Sequence, residues 1–445
     1  MAVPRKSNGL PPSRRRFLGN ALTLGLGLAI IPRHVLGRGF IPPSETLNHV
    51  LIGCGGISGL HLSASQGAGH RWLAVCDVDG LRAEQCAQQL AQSQGHRPVQ
   101  AKDFREVVAL KDADVVHVAT PPHWHGVMAA AAARAGKAVW CEKPLTRTIG
   151  EGLALTEIVE QARVPFRVNT WFRLNANDYY GVGPAREIKR LVASGVLGWP
   201  LTFRVASAAS SDSGSIREIH WKAGQWTGRT DLTPQPIPSH LDWDLYCGPS
   251  ALIPYHPHRC HDTFRGYWNF DQGGLGDMGQ HFLDPVQYFL GKDNEYPISA
   301  EAEAPVQDAQ ACGAWKTVTL NYADGCRIIL ESELCPGHGT RPVIEGPNGR
   351  VWPGLRTDPP ELAQRAREFP LPERQEDDFN LAVREKRPFG IGIREAHQSC
   401  TLVNMAALAV RLGRKVTLAA GAVGIVDDPQ AQRLHTPSLR GPWRL

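Results

Sequence analysis

Nowhere in its 445 residues does the sequence hold the ~20 consecutive apolar positions that a membrane-spanning helix requires. Its ten cysteines include no C-x-x-C pair, so no disulfide framework is indicated. No internal repeat is present. Acidic residues are missing from positions 1–37, which carry Arg5, Lys6, Arg14, Arg15, Arg16 and Arg33. With those six set aside, the 48 basic residues fall to 42 against 43 acidic ones, and no basic patch is left to suggest nucleic acid. What is there suits a soluble globular chain, 42% apolar and 20% charged, too long for a single ordinary core.

Ser13-Arg14-Arg15-Arg16-Phe17-Leu18 precedes an apolar run from Ala21 to Ile31, then Pro32 and Val35-Leu36-Gly37. Paired arginines, a short apolar region and a small residue before a cut resemble a twin-arginine export signal. Residues 1–37 are therefore expected to be a targeting segment. It implies a periplasmic or otherwise exported protein, with the twin-arginine machinery as a partner. The alternative is a basic, disordered N-terminus. No cysteine lies near the cut, which argues against a lipid anchor.

From residue 46 to 169 short apolar strands alternate with helical stretches. Strands are predicted at His49–Ile52, Trp72–Cys76, Val115–Ala119, Ala138–Cys141 and Phe166–Val168. This is the pattern of an α/β Rossmann domain, a doubly wound parallel sheet. Residues 170–426 change texture. Strand candidates at Leu201–Ala206, Trp315–Tyr322, Arg327–Glu331 and Val343–Glu345 accompany helices at Ala185–Ser194 and Thr401–Leu412. They predict an α+β domain on a large open, mainly antiparallel sheet. Residues 427–445 are polar and contain proline, and are expected to form an arm or a poorly ordered tail.

The first strand runs into Gly53-Cys54-Gly55-Gly56-Ile57-Ser58-Gly59. In a dinucleotide-binding βαβ unit the first glycine makes the turn and the second lets backbone approach the pyrophosphate. The third allows close helix–strand packing. Gly53 and Gly55 fill the first two roles, and Ser58 stands in the third, flanked by Gly56 and Gly59. Asp77 ends the next strand, placed to grip the adenosine ribose hydroxyls. A carboxylate there repels a 2′-phosphate, so NAD is favoured over NADP.

Lys143 follows the buried-type strand Ala138-Val139-Trp140-Cys141, so its amine emerges at the carboxyl edge of the sheet. Pro144 fixes the backbone beyond it, and an X-Pro bond there is a candidate for the cis form. A second cluster reads Gly273-Gly274-Leu275-Gly276-Asp277-Met278-Gly279-Gln280-His281-Phe282-Leu283-Asp284. A helix from Gly276 would place Asp277 and His281 on one face, an imidazole beside a carboxylate. His256-Pro257-His258-Arg259-Cys260-His261-Asp262 contains metal-ligand types, but no second cluster completes a tetrahedral set, so no metal is expected. A substrate-facing or structural loop is the better reading. Of the many aromatics, including Tyr246, Tyr255 and Tyr267, one or two are expected in the site.

The Gly53 loop, Thr120-Pro121-Pro122 with His125, Glu142-Lys143-Pro144 and the Gly273–Asp284 segment together resemble the Gfo/Idh/MocA oxidoreductases. Leu241-Asp242-Trp243 through Gly248-Pro249, with Arg265-Gly266-Tyr267-Trp268, look like an exported bacterial branch. The resemblance implies Lys143, Asp277 and His281 as the catalytic trio. It implies that Gly53, Gly55, Gly56, Ile57, Ser58, Asp77, Thr120, Pro121, His125, Glu142 and Lys143 hold the cofactor. It also implies a homo-dimer or tetramer. Three functions remain open on this reading. The first is an NAD-dependent oxidoreductase of a sugar, glycoside or polyol hydroxyl, with tightly bound cofactor. The second is an NAD-dependent glycosidase acting through transient C3 oxidation and elimination. The third is a non-catalytic sugar-binding protein.

Overall fold

The computed structural model describes residues 45–174, 176–206 and 226–445. The expected export signal and Trp221 lie outside the described residues. The chain divides into Met1–Thr46 and Leu47–Leu445, and the second unit holds both sheets.

The first sheet comprises β1 (Leu47–Ile52), β2 (His70–Cys76), β3 (Val99–Ala101), β4 (Val115–Val118), β5 (Ala138–Cys141) and β6 (Phe166–Val168). All pairs are parallel, in the order β3-β2-β1-β4-β5-β6. Strand order reverses between β1 and β4, and open α/β sheets bind ligands at the carboxyl ends beside that switch. β4 and β5 are buried along their whole length because both faces are covered, which explains their largely apolar sequences, His117 apart. β3 went unseen in the sequence. Three residues with exposed Val99 and Gln100 give no usable periodicity.

The second sheet is built from β7 (Thr202–Ala206), β8 (Ser299–Glu303), β9 (Thr317–Asn321), β10 (Arg327–Glu331), β11 (Ile344–Gly346), β12 (Gly349–Trp352), β13 (Arg356–Asp358) and β14 (Val416–Thr417). Only β7 and β10 pair in parallel; the other neighbours are antiparallel. Helices Gly273–Leu290 and Ile393–Leu412 pack on it, burying Phe282, Phe289, Leu402 and Met405 with Phe203 and Ile328.

Late segments return to the first sheet. Phe379, Ala382, Phe389 and Ile391 cover Val115, Ala138 and Trp140. Ile393, Ala396 and Cys400 join the opposite face, with Val116 and Val139. Alternation along β4 and β5 sends neighbouring side chains to these two faces. The tail expected as an arm instead forms the helix Pro429–His435 and lodges Trp443 against Trp124, ring centroids 4.6 Å apart. One large buried ring holds an otherwise polar segment down, and bulk composition hides it.

Candidate active site

Gly53 leaves β1 with φ +96°, a conformation that favours glycine. A Cβ there would stand 2.4 Å from the Ala119 carbonyl oxygen, so the turn also needs a missing side chain. Gly56 meets nothing within 4 Å and leaves backbone open to a ligand. Ser58 donates from Oγ to the Gly55 carbonyl at 2.6 Å, tying the turn where a third glycine would sit. Beyond the turn lies a cleft lined by Gly53, Gly55, Gly56, Ile57, Asp77, Thr120 and Pro121. Open backbone at the phosphate turn and a carboxylate at the end of β2 fit a dinucleotide. Asp77 accepts from the Cys54 and Asp79 N–H groups at 2.7 and 2.9 Å, which leaves each oxygen a further lone pair. Burial raises its pKa above the ordinary carboxylate value.

Further lining comes from the second half of the chain. Gly80 donates its N–H to the His240 carbonyl at 2.9 Å, and Asp242 donates to Val78 at 3.0 Å. That pairing accompanies Leu241, Tyr246, His261 and Phe264 in the lining of the cleft, where Arg82 and Lys102 also stand. The histidine-rich loop thus faces the cleft through His261, and His258 instead lies 2.7 Å from the Tyr267 hydroxyl. Among the described residues no group of three or more histidines, cysteines or acids is arranged to hold a metal.

Of the residues expected at the cofactor, Ser58, His125, Glu142 and Lys143 do not line this cleft. Ser58 is in the turn's interior. His125 is fully buried, its ring nitrogens each 2.7 Å from a carbonyl oxygen, of Pro144 and Thr120. It ties the Thr120 loop to the Lys143 strand end, and neither it nor Glu142 lines the cleft. Glu142 accepts from Asn169 Nδ2 at 2.6 Å and from the Lys143 N–H at 3.2 Å, with His61 Nε2 at 3.0 Å. Burial opposes its charge, but His61, the Lys143 ammonium and Asn169 together bring its pKa down to about 2.

Lys143 precedes a cis peptide bond to Pro144. Its Nζ donates to the Asp277 carbonyl at 2.5 Å and lies 3.3 Å from Asp277 Oδ1. The same carboxylate accepts from Arg265 Nε and Trp226 Nε1, both at 2.8 Å. Burial works against its ionisation, yet Lys143 and Arg265 hold it well below the usual carboxylate range. Arg265 also lines the nucleotide cleft, so one guanidinium joins the two regions.

Asp277 and His281 do share the helix Gly273–Leu290, but the carboxylate does not orient the imidazole. Its oxygens are occupied by two cations and an indole, and neither ring nitrogen of His281 has a hydrogen-bond partner. Trp171 holds the ring instead, stacked at 4.0 Å and 24°. Burial, then the Lys143 charge, lowers the His281 pKa to about 3, so the imidazole is neutral. Buried rings with two unpartnered nitrogens are uncommon, and a polar ligand is a natural partner for them. Asp284 faces away from this chemistry, accepting from Thr170 and Arg173. Trp171 carried no signal of its own in the sequence, and Arg265 was read only as part of the Arg265–Trp268 segment.

A family model described as oxidoreductase family, NAD-binding Rossmann fold, matches residues 47–170. A second, the C-terminal alpha/beta domain of the same family, matches 182–445. The chain belongs to the Gfo/Idh/MocA oxidoreductase family. It is 26% identical over 223 residues to a levoglucosan dehydrogenase of Pseudarthrobacter phenanthrenivorans, covering 50% of this chain and 45% of that one. A glycosyl hydrolase family 109 protein of Shewanella amazonensis is 32% identical over 326 residues, 69% of this chain and 64% of that one. The chain thus spans less than half the length of the first relative and less than two thirds of the second. Among solved structures, the WlbA dehydrogenase from Bordetella pertussis in complex with NADH and UDP-GlcNAcA shares the fold. Its TM-score is 0.53 at 18% identity, covering 84% of this chain and 99% of that one.

Proposed function

We propose that this protein is an NAD-dependent oxidoreductase acting on a CH–OH group of a sugar, glycoside or polyol. The observation that carries the reading is the pairing of an ammonium held by Asp277 with a neutral, unpartnered imidazole at the carboxyl edge of the first sheet. Bound NAD supplies the hydride acceptor. Lys143 donates a hydrogen bond to the substrate oxygen and stabilises negative charge on it as the proton leaves. His281 accepts that proton, its ring fixed by Trp171. Asp277 keeps Lys143 charged and aimed. Trp171, 43% exposed, offers an aromatic face on which a sugar ring can stack.

The cofactor is read as tightly held, because Leu241, Leu245, Tyr246, His261, Asp262, Phe264 and Arg265 of the second half of the chain complete the lining of the cleft. An exported protein has no obvious pool of free NAD, and a retained cofactor must be restored within each cycle. The export signal, the twin-arginine machinery as partner and a dimer or tetramer remain part of this proposal.

Redox balance favours a second reading. Oxidising a C3 hydroxyl acidifies the C2 hydrogen, the C1 substituent leaves, water adds and the ketone is reduced. Likeness to a glycosyl hydrolase family 109 protein over 69% of the chain supports it. Mass spectrometry of nucleotide released on denaturing the protein tests the common core, and recovery of no NAD(H) would defeat both readings. Aryl alcohol released from nitrophenyl glycosides without added NAD selects the glycosidase. NADH accumulation with a keto-sugar selects the dehydrogenase.

A further inference from the structure

We propose that His70, His49, His117 and His61 form a proton path joining solvent to Glu142 across the first sheet. The inference rests on reading the Glu142–Lys143 edge as the reacting one. Four consecutive links are short. His70 Nδ1 lies 2.9 Å from His49 Nε2, and His49 Nδ1 lies 3.0 Å from His117 Nε2. His117 Nδ1 lies 3.0 Å from His61 Nδ1, and His61 Nε2 lies 3.0 Å from Glu142 Oε1. His49 and His117 are fully buried on neighbouring central strands, positions where parallel sheets ordinarily carry valine or isoleucine. An apolar pair would avoid the desolvation cost of two imidazoles.

The direction of every link follows from chemistry. Ionised Glu142 can only accept, so His61 Nε2 carries a hydrogen, and with a neutral ring its Nδ1 accepts. His117 and His49 must then each donate from Nδ1 and accept at Nε2. His70 donates from Nδ1, and its Nε2 meets Nη2 of exposed Arg384 at 3.3 Å. Neutral rings are needed for this pattern. Burial keeps His49 and His117 uncharged, with neighbouring histidines, Arg384 and Arg167 acting in the same direction. At the surface end, burial and Arg384 lower the His70 pKa, while Asp378 opposes them.

One proton entering at His70 Nε2, with one hydrogen passed along each link, leaves Glu142 protonated and all four rings in the opposite tautomer. The reverse returns that proton to water. Nothing else is gained or lost. Indoles of Trp72 and Trp140 flank the path, with ring centroids 4.7 and 5.3 Å from His117. Oxidising a hydroxyl beside Lys143 releases one proton for each hydride, and reduction takes one up. The path ends at the carboxylate adjoining that lysine.

Nitrogen-15 NMR of the histidine-labelled full chain tests this without coenzyme or substrate, so its outcome is separate from that of the proposed function. Nδ1–H tautomers are expected at His49, His70 and His117, and Nε2–H at His61. Ring hydrogens of His49 and His117 should exchange with water at least about tenfold faster than the Val116 and Val118 amides. His70→Gln keeps a donor near His49 but cannot relay; it should slow ring exchange about tenfold, with added imidazole restoring it. Arg384→Ala, an exposed change, should speed it severalfold. Ring hydrogens as protected as those amides and indifferent to both variants, or tautomers of mixed direction, would make the chain a static core feature and overturn the proposal. The two amides report in the same spectra whether either variant has loosened the sheet.

Discussion

Asp277 has more partners than a pair with His281 would leave room for, and that redistributes the roles around it. Three donors fix the carboxylate, so Lys143 can be removed without stranding a buried charge: Arg265 and Trp226 remain. Lys143→Met is expected to lower turnover about 10²–10⁴-fold while bound NAD and melting temperature stay close to wild type. Steady-state assays beside nucleotide quantitation read both. Glu142 behaves differently. Its folded pKa of about 2 lies below the ordinary 4.5, so its contribution to stability is present above pH 4.5 and fades as pH falls towards 2. Glu142→Gln should cost about 3 kcal/mol at pH 7, and the gap between the two unfolding curves should narrow below pH 4.5 and close towards pH 2. A constant gap across that range in urea titrations would contradict the linkage.

Elements show which signals a sequence can carry. The Gly53 turn, Asp77 and the Lys143 strand end are local: each is a few residues at the end of one strand, and each was legible. The helix bearing Asp277 and His281 was legible too, but its partners were not. Trp171, Trp226 and Arg265 reach it from separate segments, and spacing along the chain says nothing about such meetings. His49, His61, His70 and His117 lie on four elements and converge only through strand order. Gly53→Ala probes the local kind. A Cβ 2.4 Å from Ala119 O, at φ +96°, must shift the turn, so NAD affinity should fall by two orders of magnitude or more. Trp443→Ala probes the long-range kind. The ring is 8% exposed against Trp124, which itself lines the nucleotide cleft. Its loss should cost about 3–5 kcal/mol of stability and weaken NAD binding, both measurable by thermal unfolding with and without nucleotide.

At the scale of the whole molecule, the second half of the chain finishes a cleft that the first half begins. Residues 240–242 pair with 78–80, and Phe264 and Arg265 join the lining of the cleft. On the proposed reading these residues help retain a bound dinucleotide, so release is expected to be slow even if the turn alone binds modestly. Phe264→Ala tests that retention without touching Lys143, Asp277 or His281. The side chain is 9% exposed and packs beside the Arg265 guanidinium, 4.8 Å from its ring centroid. The variant should release NAD about tenfold faster when followed by exchange against labelled nucleotide. After gel filtration it should lose turnover that added NAD restores, whereas wild type keeps its activity through the column. Equal release rates would mean that this lining does not retain the cofactor, and a redox cycle closed within the protein would then need another physical basis.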